Sequence, residues 1–281
     1  MSFDGGWNGG VLRRARHCLA AVLLGALSLP VANAAEPRWT LKDVGFSSPS
    51  AVRFDPAGDR YLVPNIKGPP LARDGNGFSS WIGSAGEVRR LKWIQGGRGG
   101  VTLDAPKSIT IRAGRLYLAD IDVVRVFDLT TGARLGAIAF PGVIALTDVA
   151  ATADGGLLVS DIGRDLASGA IFEVDKTGKV RLLARGDRLL RPNALAATPQ
   201  GVVCAPSIGG WLFSLDRAGK VIDGTAYPKS SLPNWPPRSL GRLSRIVLVD
   251  DKTTALAASK EGGTAFVRWP ATVTVAGEGR K

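Results

Sequence analysis

The chain has 281 residues, with 36 Lys and Arg against 24 Asp and Glu, two cysteines and one histidine. The formal charge of +12 suits an anionic ligand, an anionic surface or nucleic acid, but the cations are spread along the chain without a basic run, which argues against specific nucleic-acid binding. The lone histidine, His17, lies in an N-terminal leader, so Ser-His-Asp or Cys-His catalysis, haem ligation through histidine and the usual zinc sites are excluded, and any metal needs oxygen ligands of the kind that hold calcium or magnesium.

Residues 1–34 read as a cleavable export signal. Arg13, Arg14 and Arg16 precede an apolar run from Cys18 to Leu29 that is too short to span a bilayer. The run closes at Pro30 and at Ala32-Asn33-Ala34, whose small residues suit a signal peptidase and place cleavage after Ala34. Arg13-Arg14 also raises the twin-arginine route, although the residues that follow fit it poorly, and Cys18 has no lipobox around it. A periplasmic or secreted destination follows, and no later run is long enough to cross a membrane. The remaining residues 35–281 keep Cys204 alone, so no intramolecular disulfide supports the fold and its core has to.

One pattern then recurs in fixed order: a short apolar strand, a tight turn, a second strand ending in a polar residue, a third ending in Asp, a Gly turn and a fourth strand. The first copy runs through Ser50 to Asp55, Arg60 to Asn65, Gly77 to Ile82 and Val88 to Ile94. The second has Lys107 to Ile111, the turn Ala113-Gly114, Arg115 to Asp120, Val123 to Asp128 and Arg134 to Ile138. The third has Asp148 to Thr152, Gly156 to Asp161, Gly169 to Asp175 and Val180 to Ala184, and the fourth has Asn193 to Thr198, Gly201 to Pro206, Trp211 to Asp216 and Val221 onward. Markers at Pro49, Pro106, Thr147 and Pro192 are 57, 41 and 45 residues apart, and the last two steps match the roughly 40 to 50 residues of a propeller blade. The long first step holds a Gly/Pro-rich insertion between Asn65 and Gly77, which is neither strand nor helix. The pattern predicts an all-β fold, a β-propeller of four-stranded blades. A β-sandwich would use similar strands but gives no reason for the four-fold recurrence.

After Ser231 the pattern collapses. Pro233, Pro236 and Pro237 fall where a fifth innermost strand would begin and remove its donors. Arg245 to Asp250 and Phe266 to Val275 can still form strands, so residues 35–231 give four clear blades and 232–281 a degraded fifth in the same domain. A truncation or reading-frame change in the tail accounts for such a break, and an unclosed ring would expose two sheet edges.

The strings GDRYLVPN, DGNGF, GVTLDAPKSITI, LYLADIDVVRVFD, TDVAATADGGLLVSD and RPNALA resemble exported members of the regucalcin and gluconolactonase family, the senescence-marker-protein type, over residues 38–231. NHL-repeat and strictosidine-synthase-like propellers are architectural neighbours. The resemblance implies a six-bladed ring whose channel holds one divalent cation, often calcium, bound by a Glu of the first blade and by Asn and Asp at later inner-strand starts. Carried over, the Glu position is Ser50, the third-blade Asn position is Thr147 with Asp148 beside it, the Asn of the PNG-like string is Asn193, and the fifth-blade Asp has no counterpart. Lys107 enters the same rim and disfavours a cation by like-charge repulsion.

Ser50, Lys107, Thr147 and Asn193 are therefore candidate ligand-binding residues, Asn193 and Asp148 candidate metal ligands, and Asp148 a candidate catalytic base. Each also has a structural alternative, in which it satisfies backbone groups and water at the channel mouth. Asp120, Asp122 and Asp161 end second strands near loops, Asp128, Asp175 and Asp216 are expected to cap turns, and Trp81, Trp93, Trp211 and Cys204 are expected in packing roles. Two functions follow. One is metal-dependent hydrolysis of lactones or similar esters, in which the cation polarises the carbonyl and activates water. The other is a non-catalytic propeller binding a small anionic ligand or a protein partner.

Overall fold

The computed structural model describes residues 40–41, 43–199, 201–207 and 211–228 together with three later strands. The expected leader, residues 1–34, lies outside the described residues, as does all but those three strands of the segment 232–281.

Four antiparallel meanders follow one another. They are β2 to β5 (Arg53–Asp55, Arg60–Asn65, Phe78–Gly83, Val88–Gln95), β6 to β9 (Pro106–Arg112, Arg115–Asp120, Val123–Asp128, Arg134–Ala139), β10 to β13 (Leu146–Ala151, Leu157–Asp161, Ala170–Val174, Val180–Arg185) and β14 to β17 (Pro192–Thr198, Gly201–Pro206, Trp211–Asp216, Val221–Pro228). Two-stranded pairs account for the rest: β1 (Thr40–Leu41) with β20 (Phe266–Val267), and β18 (Leu243–Leu248) with β19 (Ala255–Ser259). Every strand of the four clear repeats falls within a few residues of its expected place. The inner strand of the first sheet is the exception, only three residues long, because the chain before it pairs through an isolated bridge, Pro49 with Asn65.

The first strands of successive sheets abut: β2 meets β6, β6 meets β10, and β10 meets β14. The sheets therefore pack face to face around a common axis as propeller blades, each covering the hydrophobic face of the next.

Strand alternation explains the near-continuous apolar runs. In β7, Leu116 and Leu118 pack with Leu62, Ile94 and Ile109 toward the first sheet, whereas Tyr117 and Ala119 pack with Val149, Leu157 and Phe172 toward the third. Because successive side chains point to opposite faces, a strand buried on both sides must be apolar throughout. β11 repeats the device, with Leu157 and Val159 facing the second sheet and Leu158 facing Leu195, Val202 and Cys204 of the fourth. Each fully buried Leu contributes about 1.5–3 kcal/mol relative to exposure.

The turns are those the sequence specifies. Ala113 and Gly114 both adopt positive φ, 48° and 71°, the two-residue geometry that matches hairpin twist. Asp128 accepts from Thr130 N and Thr131 N, Asp175 from Thr177 N and Lys179 N, and Asp216 from Ala218 N and Lys220 N. Trp81 and Trp93 flank the buried Arg60 guanidinium at 4.6 and 4.7 Å, and Arg60 pairs with Asp55 at 2.8 Å, so both indoles pack as expected. Cys204 is buried, and burial pushes its thiol up to about 12, which makes it inert. Among the described residues no helix is long and apolar enough to cross a membrane.

Candidate functional site at the heads of the inner strands

The second, third and fourth blades share a bulge at the head of the inner strand. Pro106 pairs with Asp120 and Ser108 with Ala119, leaving Lys107 out of register. Leu146 pairs with Asp161 and Asp148 with Ser160, which leaves out Thr147, and Pro192 pairs with Pro206 and Ala194 with Ala205, which leaves out Asn193. Ser50 occupies the matching place in the first blade, just after the bridge at Pro49. Ser50, Lys107, Thr147 and Asn193 are thus structural equivalents, and Leu146 rather than Thr147 is the counterpart of Pro49, Pro106 and Pro192, one residue from the expected register; a bulge re-aims the side chain that it frees.

Two of the four are used between blades. Ser50 Oγ donates to Pro106 O at 2.7 Å, and Thr147 Oγ1 donates to Pro192 O at 3.1 Å. Ser160 Oγ donates to Asn193 O at 2.8 Å, so Asn193 is gripped through its backbone by the neighbouring blade.

Asp148 is committed in the same way. Its Oδ1 accepts from Ser108 Oγ of the preceding blade and from Val149 N, and its Oδ2 accepts from Leu195 N of the following blade at 2.6 Å. One carboxylate therefore joins three blades. The residue expected to serve as base or metal ligand is geometrically an inter-blade clasp.

A second repeated device lies beside it. In the first three blades the polar residue ending the second strand is buried and turns back onto the chain entering the first strand of its own blade. Asn65 Oδ1 accepts from Ser47 N, Asp120 from Asp104 N and Ala105 N, and Asp161 from Ile144 N and Ala145 N. In the fourth blade the position is Pro206, which has no such side chain. Strand-end placement was legible in the sequence, but this capping role was not, because its donors lie 15 to 18 residues away.

Lys107 stands apart from its three neutral counterparts. It is half-buried and donates to Ala105 O at 3.2 Å. Removal from water pushes its amine down to about 8, with Asp120 opposing that change and Arg73 adding to it. Asp120 is shared, since Arg125 Nε reaches its Oδ2 at 3.0 Å while Arg125 Nη2 lies 3.6 Å from Asp104. The insertion between Asn65 and Gly77 is tied down here, with Gly75 N donating to Asp104 Oδ1 and Arg73 pairing with Asp122 at 2.9 Å. The Arg73 hydrogen bond holds the Asp122 carboxyl below the usual carboxylate range. Gly77 is required at the foot of the insertion, because a Cβ there would lie 2.6 Å from Asp104 O. Arg125, Ser108 and Ser160 were not singled out in the sequence. Their signal was a polar residue within an otherwise apolar strand.

These donors do not fit a divalent cation. The Asp148 oxygens accept from three protein donors, the Ser50 and Thr147 hydroxyls donate to carbonyls, and an ammonium stands at the equivalent place in the second blade. Among the described residues no three of His, Cys, Asp and Glu gather in a metal-holding arrangement.

No protein-family model matches the sequence, and no curated protein matches it. Solved structures do. A chain of a nidogen/laminin complex aligns with a TM-score of 0.51 at 16% identity, over 66% of this chain and 66% of its own, just under two thirds of that length. A protein assigned as a gluconolactonase aligns with a TM-score of 0.50 at 14% identity, over 86% of this chain and 84% of its own. A streptogramin B lyase aligns with a TM-score of 0.50 at 9% identity, over 82% of this chain and 72% of its own. The chain is a β-propeller. At such identities the likeness fixes the fold of the propeller and leaves its chemistry to its own side chains.

Proposed function

We propose that the protein is an exported β-propeller that binds a small anionic ligand at the mouth where the inner strands begin, with Lys107 as its anchor and without catalysis. The observation that carries this reading is the half-buried Lys107 ammonium at a position whose equivalents are Ser50, Thr147 and Asn193. An anion there offsets the cost of keeping that charge partly out of water, and the basic balance of the chain favours its approach.

A second reading, calcium-dependent hydrolysis of lactones, draws support from the sequence resemblance and from the fold shared with a protein assigned as a gluconolactonase. It needs Asp148 as base or ligand, and that carboxylate accepts from Ser108, Val149 and Leu195.

Thermal melts separate the two. Gluconate or phosphate should raise the melting temperature of the wild type, since a ligand at a hundred times its Kd adds about 2.7 kcal/mol. The effect should vanish in Lys107→Met and fade as the pH rises past about 8, where the amine loses its proton. A melting temperature raised by calcium and unmoved by either anion, together with gluconolactone hydrolysis, would replace this reading with the second.

A further inference from the structure

The insertion between Asn65 and Gly77 belongs to the first blade but is stitched onto the head of the second. Gly75 N donates to Asp104 Oδ1 at 2.9 Å, and Gly77 N donates to Leu103 O at 3.0 Å. Arg73 reaches further and grips Asp122 with both prongs of its guanidinium, Nη1 with Oδ1 at 3.0 Å and Nη2 with Oδ2 at 2.9 Å. A loop of one blade thus delivers a cation to the rim of the next, where Lys107 donates to Ala105 O. The two cations share their surroundings, since the Arg73 charge acts on the Lys107 amine and Asp120 acts on both.

The other carboxylates here are occupied elsewhere. Asp120 accepts from Asp104 N and Ala105 N and pairs with Arg125, Asp104 accepts from Gly75 N, and Asp74 accepts from the Asn76 backbone and side chain. The Arg73–Asp122 pair is exposed, at 56% and 38% for the two side chains, and a pair so placed adds little to stability. Asp122 is nevertheless held at a cost. Ile121 before it is buried and β-branched and sits at φ 53°, which such residues rarely adopt. It is kept there because Ile121 O accepts from Leu146 N and Asp122 O accepts from Phe140 N. Strain retained beside a weak surface pair points to a demand on position rather than on stability.

Resting on the reading of Lys107 as an anion anchor, we propose that Arg73 is the second cation of that site and that the ligand it favours is a small dicarboxylate. Asp122 keeps the guanidinium at the rim until ligand arrives. One carboxylate of the ligand then replaces Asp122 on the Arg73 fork, a planar donor pair that matches a carboxylate, and the other meets Lys107. The exchange costs little, because the released Asp122 carboxylate is already partly in water. It also sets an anion between two cations that otherwise repel each other.

Titration calorimetry of the full chain at fixed ionic strength, with acetate, malonate, succinate and glutarate as probes, tests this. At least one dicarboxylate should bind about tenfold or more tightly than acetate, well beyond the statistical advantage of two carboxylates. Arg73→Gln should bring that dicarboxylate down to the level of acetate, and Arg73→Lys, which keeps the charge but not the fork, should restore only part of the preference. Asp122→Asn breaks the same ion pair yet leaves Arg73 in place, so it should keep or raise the preference. Arg164→Gln, the same charge change at an exposed residue between β11 and β12, should leave it unaltered. Acetate bound in the wild type and lost in Lys107→Met, with no dicarboxylate preferred, would overturn this inference alone and leave the anion site standing. A preference that survives Arg73→Gln, or one lost equally in Arg73→Gln and Asp122→Asn, would also overturn it, the latter by marking the pair as a structural pin. A wild type that binds none of the four would overturn both readings.

Discussion

Lys107→Met is predicted to stabilise the protein at neutral pH, although it removes a residue proposed to bind ligand. The folded-state amine is pushed from 10.5 down to about 8 by burial. Below about pH 8 both folded and unfolded chains hold the proton, and the folded chain bears the full cost of the half-buried charge. At about 1.4 kcal/mol per pH unit between those values the cost is about 3 kcal/mol, or about 2 kcal/mol once the part of the side chain still in water is allowed for. Between pH 8 and 10.5 the folded chain releases its proton while the unfolded chain keeps it, so wild-type stability from this group rises with pH, and above that interval the contribution is gone. Met has a similar unbranched stem and carries no charge. The variant should therefore melt about 4–8 °C higher at pH 7, and its advantage should shrink toward zero by pH 10.5. Urea titrations at pH 7, 8.5 and 10 without added anion measure both. A less stable variant at pH 7, or a constant difference across the series, would refute the reasoning that Lys107 is held at a desolvation cost.

Two further substitutions test the repeated polar devices. Asp148→Ala removes the clasp across three blades and should cost about 2–4 kcal/mol, with faster hydrogen exchange at the Leu195 amide; unchanged stability would return Asp148 to a functional role. Asp161→Ala leaves the Ile144, Ala145 and Gly163 amides without their acceptor and should lower the urea midpoint by the equivalent of about 2–4 kcal/mol, whereas the matching change at the exposed turn carboxylate Asp175 should have a smaller effect.

The blades were legible because their determinants are local. Ala113-Gly114 can close only a tight turn, Asp128 caps the turn that follows it, and alternating burial on both faces forces a run such as Leu116 to Ala119 to be apolar. Repeat register aligned Ser50, Lys107 and Asn193 but set Asp148 beside them in the third blade, one residue past Thr147, which the strand pairing makes their equivalent. What those residues do was less legible. Asp148 looks like any carboxylate at a strand head, and its commitment rests on Ser108 and Leu195, 40 and 47 residues away. The same holds for Asp120, whose partners Ala105 and Arg125 reach it only after two strands have folded together.

By itself the sequence determined a β-propeller of four-stranded blades, its turns, its insertion after Asn65 and, to within one residue, the positions that line up at the inner-strand heads, since all of these follow from side-chain periodicity and nearby turn chemistry. Only the tertiary structure decided which of those polar groups are occupied between blades and that Lys107 stands half-buried among them. Hydrogen bonding and desolvation depend on atoms that distant parts of the chain bring together.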